Sequence, residues 1–363
     1  MTKHIYCDVV IAGCGAAGLY TALNLPKDLH VLMICKEDMD TCDSMLAQGG
    51  ICVLRGEDDY ESYFEDTMRA GHYENRKESV DLMIRTSPGI IRHLLELGVG
   101  FDKNPDGSLK YTKEGAHSRP RICFHEDITG KAITTVLQEQ TAALPNVNIM
   151  EYTVMTDILT ANGACAGILA RTGDGSTLSI HARDTVMATG GIGGLYQHST
   201  NFPCLTGDAL TVARKHGVKL EHLDYVQIHP TSLYTEKPGR SFLISESARG
   251  EGAVLLNGKG ERFVNELLPR DAVSQAIEAE MEKEGSRHVW LSFAPMPRET
   301  IREHFPHIYE TCLEEGYDIT REPIPVVPAQ HYFMGGVWVD LDSRTTMEHL
   351  YAVGETSCNG VHG

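Results

Sequence analysis

Short apolar runs recur along the chain at wide intervals, and their length is typical of buried β-strands. They comprise Cys7–Ala12, His30–Cys35, Thr185–Ala188, Val337–Val339 and Tyr351–Val353. Two longer stretches with helical periodicity, Asp81–Gly98 and Lys131–Ala143, lie between them. This alternation predicts an α/β fold.

The pattern changes between Leu223 and Phe333. This stretch is richer in charge, carries prolines at 230, 238, 269, 295, 297 and 306, and has no second glycine-rich strand exit. We therefore predict an inserted domain over residues 223–333, with the remainder of the fold formed by residues 1–222 and 334–363.

Composition narrows the classes of function. The chain has 363 residues and a formal charge of −18, which argues against nucleic acid or an anionic membrane as partner. It contains no membrane-length apolar stretch and no signal-peptide pattern, so a cytoplasmic location is expected. Ten cysteines without a CxxC pair are expected to be reduced thiols, and no metal site is expected.

The strongest local motif follows the first predicted strand. It is a glycine-rich turn before a helix, formed by Gly13, Cys14, Gly15, Ala16, Ala17 and Gly18. Such a turn lets a pyrophosphate approach the backbone at the helix N-terminus, which predicts a dinucleotide site. Lys36 stands where NAD-binding proteins often carry an acid, which favours another dinucleotide.

Three further segments place glycines at strand exits or helix starts, at residues 187–196, 206–217 and 350–363. Two of them add a carboxylate, Asp208 or Glu355, that could hold a sugar hydroxyl. Singly, each is more often a turn or a capped helix, with Asp208 as a plain N-cap. Together and in this order they fit a site for flavin adenine dinucleotide.

Cations and carboxylates are dense in five further segments, at residues 112–121, 227–234, 245–252, 267–277 and 328–340. Taken singly, His331 reads as a core histidine, and Arg270 with Asp271 as a solvated ion pair of under about 1 kcal/mol. Beside a flavin they predict a dicarboxylate pocket, in which Arg270, His229, His331 and Arg249 meet the negative charges.

At this point the chain resembles the flavoproteins related to fumarate reductase and succinate dehydrogenase. The resemblance runs through "GCGAAG", "MLAQGG", "HPT", "RGEGA", "LPRDAV", "AQHYFMGG" and "GETSCNGVHG". It implies a Rossmann-like FAD-binding domain interrupted by an α+β capping domain. The cofactor-binding residues that we predict in addition to the glycine-rich turn are Lys36, Asp43, Ser44, Met45, Leu46, Ala47, Gln48, Gly49, Gly50, Asp208 and Glu355.

In relatives the loop after "HG" continues into a segment with a substrate-binding arginine and then a helical domain. The sequence ends before that point. The expectation is therefore a fragment or a truncated gene product.

Two positions suggest a branch of the family. Relatives that attach flavin covalently carry a histidine where this chain has Asp43, so noncovalent FAD is expected. Glu114 matches the glutamate that lies near the substrate amino group in the aspartate-oxidising members, and an anion there favours an ammonium-bearing dicarboxylate. Two alternatives stay open: a soluble fumarate reductase or succinate dehydrogenase, and a flavin-binding remnant without catalysis.

The resemblance also implies roles in the oxidation of L-aspartate to iminoaspartate. Arg270 would transfer protons, coupled to a carboxylate such as Asp271 or Glu251. The reduced flavin would pass its electrons to oxygen, giving hydrogen peroxide, or to fumarate, and quinolinate synthase would use the imine in NAD biosynthesis. The residues expected to line the pocket are Glu114, Gln227, His229, Ser245, Glu246 and His331.

Overall fold

A computed structural model describes residues 2–363. Its strands are β1 Lys3–Ala12, β2 Val31–Ile34, β3 Ile51–Cys52, β4 Ile122–Cys123, β5 Val147–Met150, β6 Thr153–Ala161, β7 Ala164–Thr172, β8 Thr177–Met187, β9 Leu220–Glu221, β10 Val226–Leu233, β11 Val254–Leu256, β12 Val289–Ser292, β13 Ile324–Phe333, β14 Gly336–Trp338, β15 Leu350–Ala352 and β16 Ser357–Cys358. The five predicted strand runs lie on β1, β2, the end of β8, β14 and β15.

The helices over the same residues are α1 Ala16–Asn24, α2 Tyr60–Ala70, α3 Lys77–Leu97, α4 Thr129–Ala142, α5 Asp208–Lys215, α6 Glu246–Gly250, α7 Arg270–Glu284, α8 Arg298–His304 and α9 Pro306–Glu314. Both predicted helices are present, as α3 and α4. No helix within residues 2–363 is long and apolar enough to cross a membrane.

The main sheet has the strand order β5-β2-β1-β8-β7-β6, with β15 pairing to the end of β8. Strands β5, β2, β1, β8 and β15 are parallel, whereas β7 and β6 continue the sheet antiparallel. Val9, Val10 and Ile11 are at most 3% exposed because a parallel sheet is covered on both faces. The carboxyl ends of β1, β2, β8 and β15 therefore meet at one edge, where α/β folds bind ligands. The predicted α/β class is confirmed.

A second sheet, in the order β10-β13-β12-β11, is antiparallel and lies within the predicted insertion. It packs with α6 to α9 around its own hydrophobic core, which includes Leu255, Val273 and Phe293. Val226 pairs with Phe333, so the chain leaves and re-enters the main fold at adjacent positions. This arrangement suits an inserted α+β domain, and its limits at 223 and 333 stay a prediction.

Candidate functional site

The glycine-rich turn after β1 is shaped by close backbone contacts. Gly13 has φ +121°, and a Cβ there would lie 1.9 Å from the Ala188 carbonyl oxygen. A Cβ on Gly18 would lie 2.2 Å from the Gly13 carbonyl oxygen. The helix α1 can therefore pack against this turn only if residue 18 has no side chain. Gly15 is the N-cap of α1. Two of the three glycines thus hold the turn together, and Gly15 borders the space in front of the helix.

That space is a cavity of about 450 Å³ at the carboxyl edge of the main sheet. Its size and mainly apolar wall suit an organic cofactor. The predicted cofactor-binding residues that line it are Gly13, Cys14, Gly15, Ala16, Ala17, Lys36, Asp43, Ser44, Leu46, Ala47, Asp208 and Glu355.

The remaining predicted cofactor residues lie elsewhere. Gly18 is inside α1, and Met45 belongs to the short 3₁₀ helix Asp43–Leu46 without forming part of the cavity wall. Gln48, Gly49 and Gly50 line a neighbouring cavity of about 90 Å³ together with Glu114. Their predicted contact with the cofactor stays untested.

Lys36 and Asp208, both predicted to hold the cofactor, bind each other. Lys36 Nζ is 2.8 Å from Asp208 Oδ2 and also donates to the Cys204 carbonyl oxygen and to Thr206 Oγ1. Gly207 is the N-cap of α5 and Asp208 its first residue, so the alternative of Asp208 as a plain N-cap is wrong. The ion pair joins β2 to α5 along one wall of the cavity.

The wall beside β15 carries Glu355. Its Oε1 accepts a hydrogen bond of 2.8 Å from the Phe333 amide, and burial raises the pKa of this carboxyl to about 8. A Cβ on Gly191 would lie 2.3 Å from the same oxygen, so only glycine fits opposite it. These features fit FAD. The glycine turn at a helix N-terminus suits its pyrophosphate, the apolar cavity suits its rings, and the carboxyls can accept hydrogen bonds from its sugar hydroxyls.

Arg270 stands at the N-terminus of α7 and forms the centre of a second cluster. Its Nε donates to Glu246 Oε2 at 2.5 Å, and its Nη1 donates to Gln227 Oε1 at 2.6 Å. Burial acts against the charged guanidinium, but the Glu246 and Glu114 carboxylates together outweigh it, so the pKa of Arg270 lies above its ordinary value. Three predicted substrate residues from β10, α6 and α7 are thus brought together.

The expected partners of Arg270 were wrong. Asp271 is 3.2 Å from His72 Nε2 at the surface, and Glu251 is 2.6 Å from His304 Nδ1. Glu246 takes their place because the first residue of α6 faces the first residue of α7.

His229 and His331 lie beside this cluster, with ring centroids 5.2 Å apart. Burial lowers the pKa of His331 to about 3 and holds the pKa of His229 well below its ordinary value, with Arg270 adding to both effects. Thr200 Oγ1 lies 2.7 Å from His331 Nδ1. Both histidines are therefore neutral at physiological pH in the absence of an anion, and the expectation that they meet a dicarboxylate stays a prediction.

Arg249, the fourth expected cation, is 2% exposed. Its Nη1 donates to the Glu266 carbonyl oxygen at 2.6 Å, and Glu246 is the carboxylate with the largest influence on its charge. Burial lowers the pKa of Arg249, but an arginine remains charged at physiological pH. The positive charges that act most strongly on Glu246 thus come from the two arginines, Arg270 and Arg249.

Glu114 approaches the cluster from the other side. Its Oε1 accepts a hydrogen bond of 2.9 Å from Ser247 Oγ and lies 3.0 Å from the position of a Cβ on Gly49. Burial, and then the Glu246 carboxylate, raise the pKa of Glu114. A carboxyl that can gain or lose a proton therefore stands near a guanidinium that stays charged.

Ser245, predicted to bind substrate, has a visible structural role. Its Oγ accepts from the Ser247 amide at 3.2 Å and caps α6, which orients Glu246. Three neighbours escaped the sequence analysis: Ser247, Thr200 and Gly115, where a Cβ would lie 2.1 Å from Glu246 Oε1. The adjacency of Gly115 to Glu114 in "TKEGAHS" was the available signal.

A possible group of metal ligands also escaped the sequence analysis. Donor atoms of Glu221, His222 and Cys358 lie within 4.8 Å of one another. Lys219 Nζ is 2.7 Å and Arg76 Nη2 is 3.5 Å from the Glu221 carboxylate, so cations already neutralise it. The Glu221 carboxylate is therefore better explained as the acceptor of two ion pairs than as a metal ligand.

Comparisons with known proteins agree with this geometry. A family model described as an FAD binding domain matches residues 8–363. An L-aspartate oxidase of Clostridium perfringens is 50% identical and aligns with 98% of this chain and 81% of its own length. Another from Neisseria meningitidis is 42% identical, over 98% of this chain and 73% of its own length. The solved structure of E. coli quinol fumarate reductase FrdA superposes with a TM-score of 0.92 at 30% identity, covering 100% of this chain and 66% of that chain.

The fold and the cavity define an FAD-binding flavoprotein built like fumarate reductase, and the predictions of that class and of FAD as cofactor are confirmed. Among these flavoproteins, the chain belongs to the L-aspartate oxidase family.

Proposed function

We propose that the protein is an FAD-dependent oxidase that converts L-aspartate to iminoaspartate. Electrons pass to oxygen, giving hydrogen peroxide, or to fumarate, and the reaction begins the de novo biosynthesis of NAD. Relatives of high identity that carry the name L-aspartate oxidase support this proposal.

The observation that carries the proposal is that Glu114 lies close enough to Arg270 for each charge to shift the pKa of the other. A guanidinium held in its charged form suits a substrate carboxylate. A half-buried carboxylate nearby would repel the purely anionic succinate and fumarate, whereas it attracts the ammonium group of aspartate.

The residues around Arg270 have different roles in binding the substrate. Glu246 and Gln227 hold two of the three guanidinium nitrogens of Arg270, which leaves Nη2 to meet the substrate. His229 and His331 are neutral and can donate one hydrogen bond each toward a carboxylate without adding charge. When bound, FAD supplies the two-electron acceptor.

Proton transfer follows from the electrostatics of the two carboxyls. An amine must lose its ammonium proton before oxidation, and Glu114, whose pKa is raised, is placed to accept it. In the reduction of fumarate a proton must instead reach substrate carbon. Arg270 is placed to donate it. The Glu246 carboxylate, bonded to Nε, can then relay a proton from solvent to the neutral guanidine and restore its charge.

Finer aspects of the function are proposed on chemical grounds. Iminoaspartate hydrolyses in water, so an enzyme that consumes it quickly is needed, and quinolinate synthase has this chemistry. A cytoplasmic location also remains a prediction.

The test is peroxide release by the purified protein with added FAD and saturating L-aspartate, with succinate and D-aspartate as parallel substrates. We expect turnover with L-aspartate and none with succinate or D-aspartate. Oxidation of succinate with L-aspartate inert would favour a fumarate reductase or succinate dehydrogenase. Retained flavin without turnover on any substrate, under air or with fumarate, would favour a flavin-binding remnant.

A further inference from the structure

The FAD cavity has two chemically different ends. One lies at the carboxyl end of β2, where Lys36, Glu37 and Asp38 form its wall. In α/β dinucleotide sites the adenosine ribose binds after the second strand, which assigns this end to adenosine. At the other end the wall includes Arg240 and His331, and His331 adjoins the Arg270 cluster. The redox-active ring must lie there to meet the substrate.

Asp43 lines the same cavity, near Arg240 and Glu355. Its Oδ1 accepts a hydrogen bond of 2.9 Å from the Phe202 amide. Its Oδ2 is shielded from solvent and, among the contacts of residues 2–363, has no hydrogen-bond partner. A buried carboxylate oxygen without a donor disfavours the ionised form. Burial accordingly raises the pKa of Asp43 to about 7.

The charged and titratable groups around Asp43 come from several loops. Arg240 precedes the strand-like segment that leads to α6 and lies over the Phe202 ring at 6.0 Å. Burial lowers the pKa of Arg240, and Asp43 is the carboxylate that opposes this effect. Glu355 faces Asp43 from the loop after β15, and the thiols of Cys42 and Cys204 are also near enough to feel its charge.

Reduction of a flavin adds negative charge to the ring. A carboxylate beside the ring raises the free energy of the reduced form, and a guanidinium lowers it. Both charges stand in a wall with little access to water, where screening is weak. Their effects on the ring must therefore oppose each other.

We propose that Asp43 and Arg240 set the reduction potential of bound FAD, with Asp43 lowering it when ionised and Arg240 raising it. The carboxyl also makes the potential depend on pH, because the charge of reduced flavin favours protonation of Asp43. Across the range in which this carboxyl titrates, about pH 6 to 8, reduction is then accompanied by proton uptake at Asp43. This proposal rests on FAD binding and not on the oxidation of aspartate.

The experiment measures the potential of bound FAD by spectroscopic equilibration with reference dyes from about pH 5.5 to 8.5, without substrate. Asp43→Asn keeps an acceptor for the Phe202 amide and removes the charge. A unit charge at about 10 Å and an effective dielectric constant of about 20 predicts a roughly tenfold shift toward reduced flavin at high pH, or about 30 mV for two electrons. The shift should vanish at low pH, and the potential of the wild type should fall more steeply with pH.

Two further variants keep the test decisive. Arg240→Gln should shift the equilibrium toward oxidised flavin, opposite in sign to Asp43→Asn, and it supplies the answer if the Asp43 variant does not bind FAD. Glu139→Gln removes an exposed carboxylate on α4 that does not line the cavity, and it should leave the potential unchanged. Equal shifts in all three variants, or an Asp43→Asn potential parallel to that of the wild type at every pH, would overturn the proposal. Because no substrate is used, a protein inactive on aspartate could still confirm it.

Discussion

Arg270 and Glu246 form a direct ion pair, Nε to Oε2 at 2.5 Å, although 23 residues separate them in the chain. Their side chains are 26% and 9% exposed. Removing one partner of such a pair leaves the other charge uncompensated, which typically costs about 3–5 kcal/mol for a fully buried pair and less here.

We therefore predict that Glu246→Gln lowers kcat for aspartate by roughly a hundredfold or more while FAD stays bound. Asp271→Asn, at the next residue to Arg270 but paired with His72 at the surface, is the matched control. Steady-state kinetics with the flavin spectrum recorded in parallel will decide. Equal losses in both variants would show that the Glu246 pair has no special role.

Glu114 should determine the choice of substrate. A charge-assisted hydrogen bond contributes roughly 1.5–3 kcal/mol, or about 10- to 150-fold in binding. Glu114→Gln should weaken aspartate binding by this factor. Fumarate carries no ammonium group and is repelled by the carboxylate, so its binding should not weaken and should improve. The control is Glu251→Gln in the same small cavity, where the carboxylate already binds His304. If KM rose equally for both substrates, Glu114 would be a structural residue.

Gly115 controls the position of Glu246 by its lack of a side chain. A methyl group there would lie 2.1 Å from Glu246 Oε1 and must displace it. Gly115→Ala is thus predicted to reduce kcat/KM for aspartate at least tenfold with unchanged FAD affinity. Gly89→Ala, where a Cβ meets nothing within 4 Å, should keep full activity and gain up to about 1 kcal/mol in stability within α3. An active Gly115→Ala enzyme would contradict the tight packing around Glu246.

Glu355 should make the stability of the flavin-free protein depend on pH. Folding raises its pKa from 4.5 to about 8, so between these values the folded protein holds a proton that the unfolded chain has lost. Stability then falls as the pH rises through this range, by a few kcal/mol at most. Glu355→Gln should remove this loss of stability at high pH. Its Tm should therefore exceed that of the wild type by more near pH 8.5 than near pH 5. The same advantage at both pH values, or an equal effect from exposed Glu282→Gln, would argue against it.

Asp43 stands where a covalent histidyl link would require a histidine, so the flavin should be released by acid or heat. The measurement is the absorbance of the supernatant and of the redissolved precipitate at about 450 nm, near the absorbance maximum of oxidised flavins. Yellow colour that stays with the precipitated protein would refute noncovalent binding.

Patterns in adjacent residues predicted the strand, turn and helix at the carboxyl edge of the main sheet. The run Cys7–Ala12 followed by Gly13 to Gly18 specifies strand, turn and helix from adjacent residues, and the structure has β1 and α1 there. The motif also predicts a tight turn at Gly13 and close helix packing at Gly18. In the structure Gly13 packs against the Ala188 backbone, and Gly18 packs against the Gly13 backbone. Such contacts involve distant strands, and local patterns do not contain them.

The sequence by itself determined the α/β class and the dinucleotide turn, because these depend on periodicity and on residue types at fixed spacing. The residues of the polar cluster were implied by the resemblance to fumarate reductase and succinate dehydrogenase. Only the tertiary structure decided which charges pair. It joined Arg270 to Glu246 instead of Asp271, paired Lys36 with Asp208, and kept His229 and His331 neutral. The physical reason is that ion pairing and pKa depend on burial and on distances between elements that are far apart in the chain, and these exist only once the chain has folded.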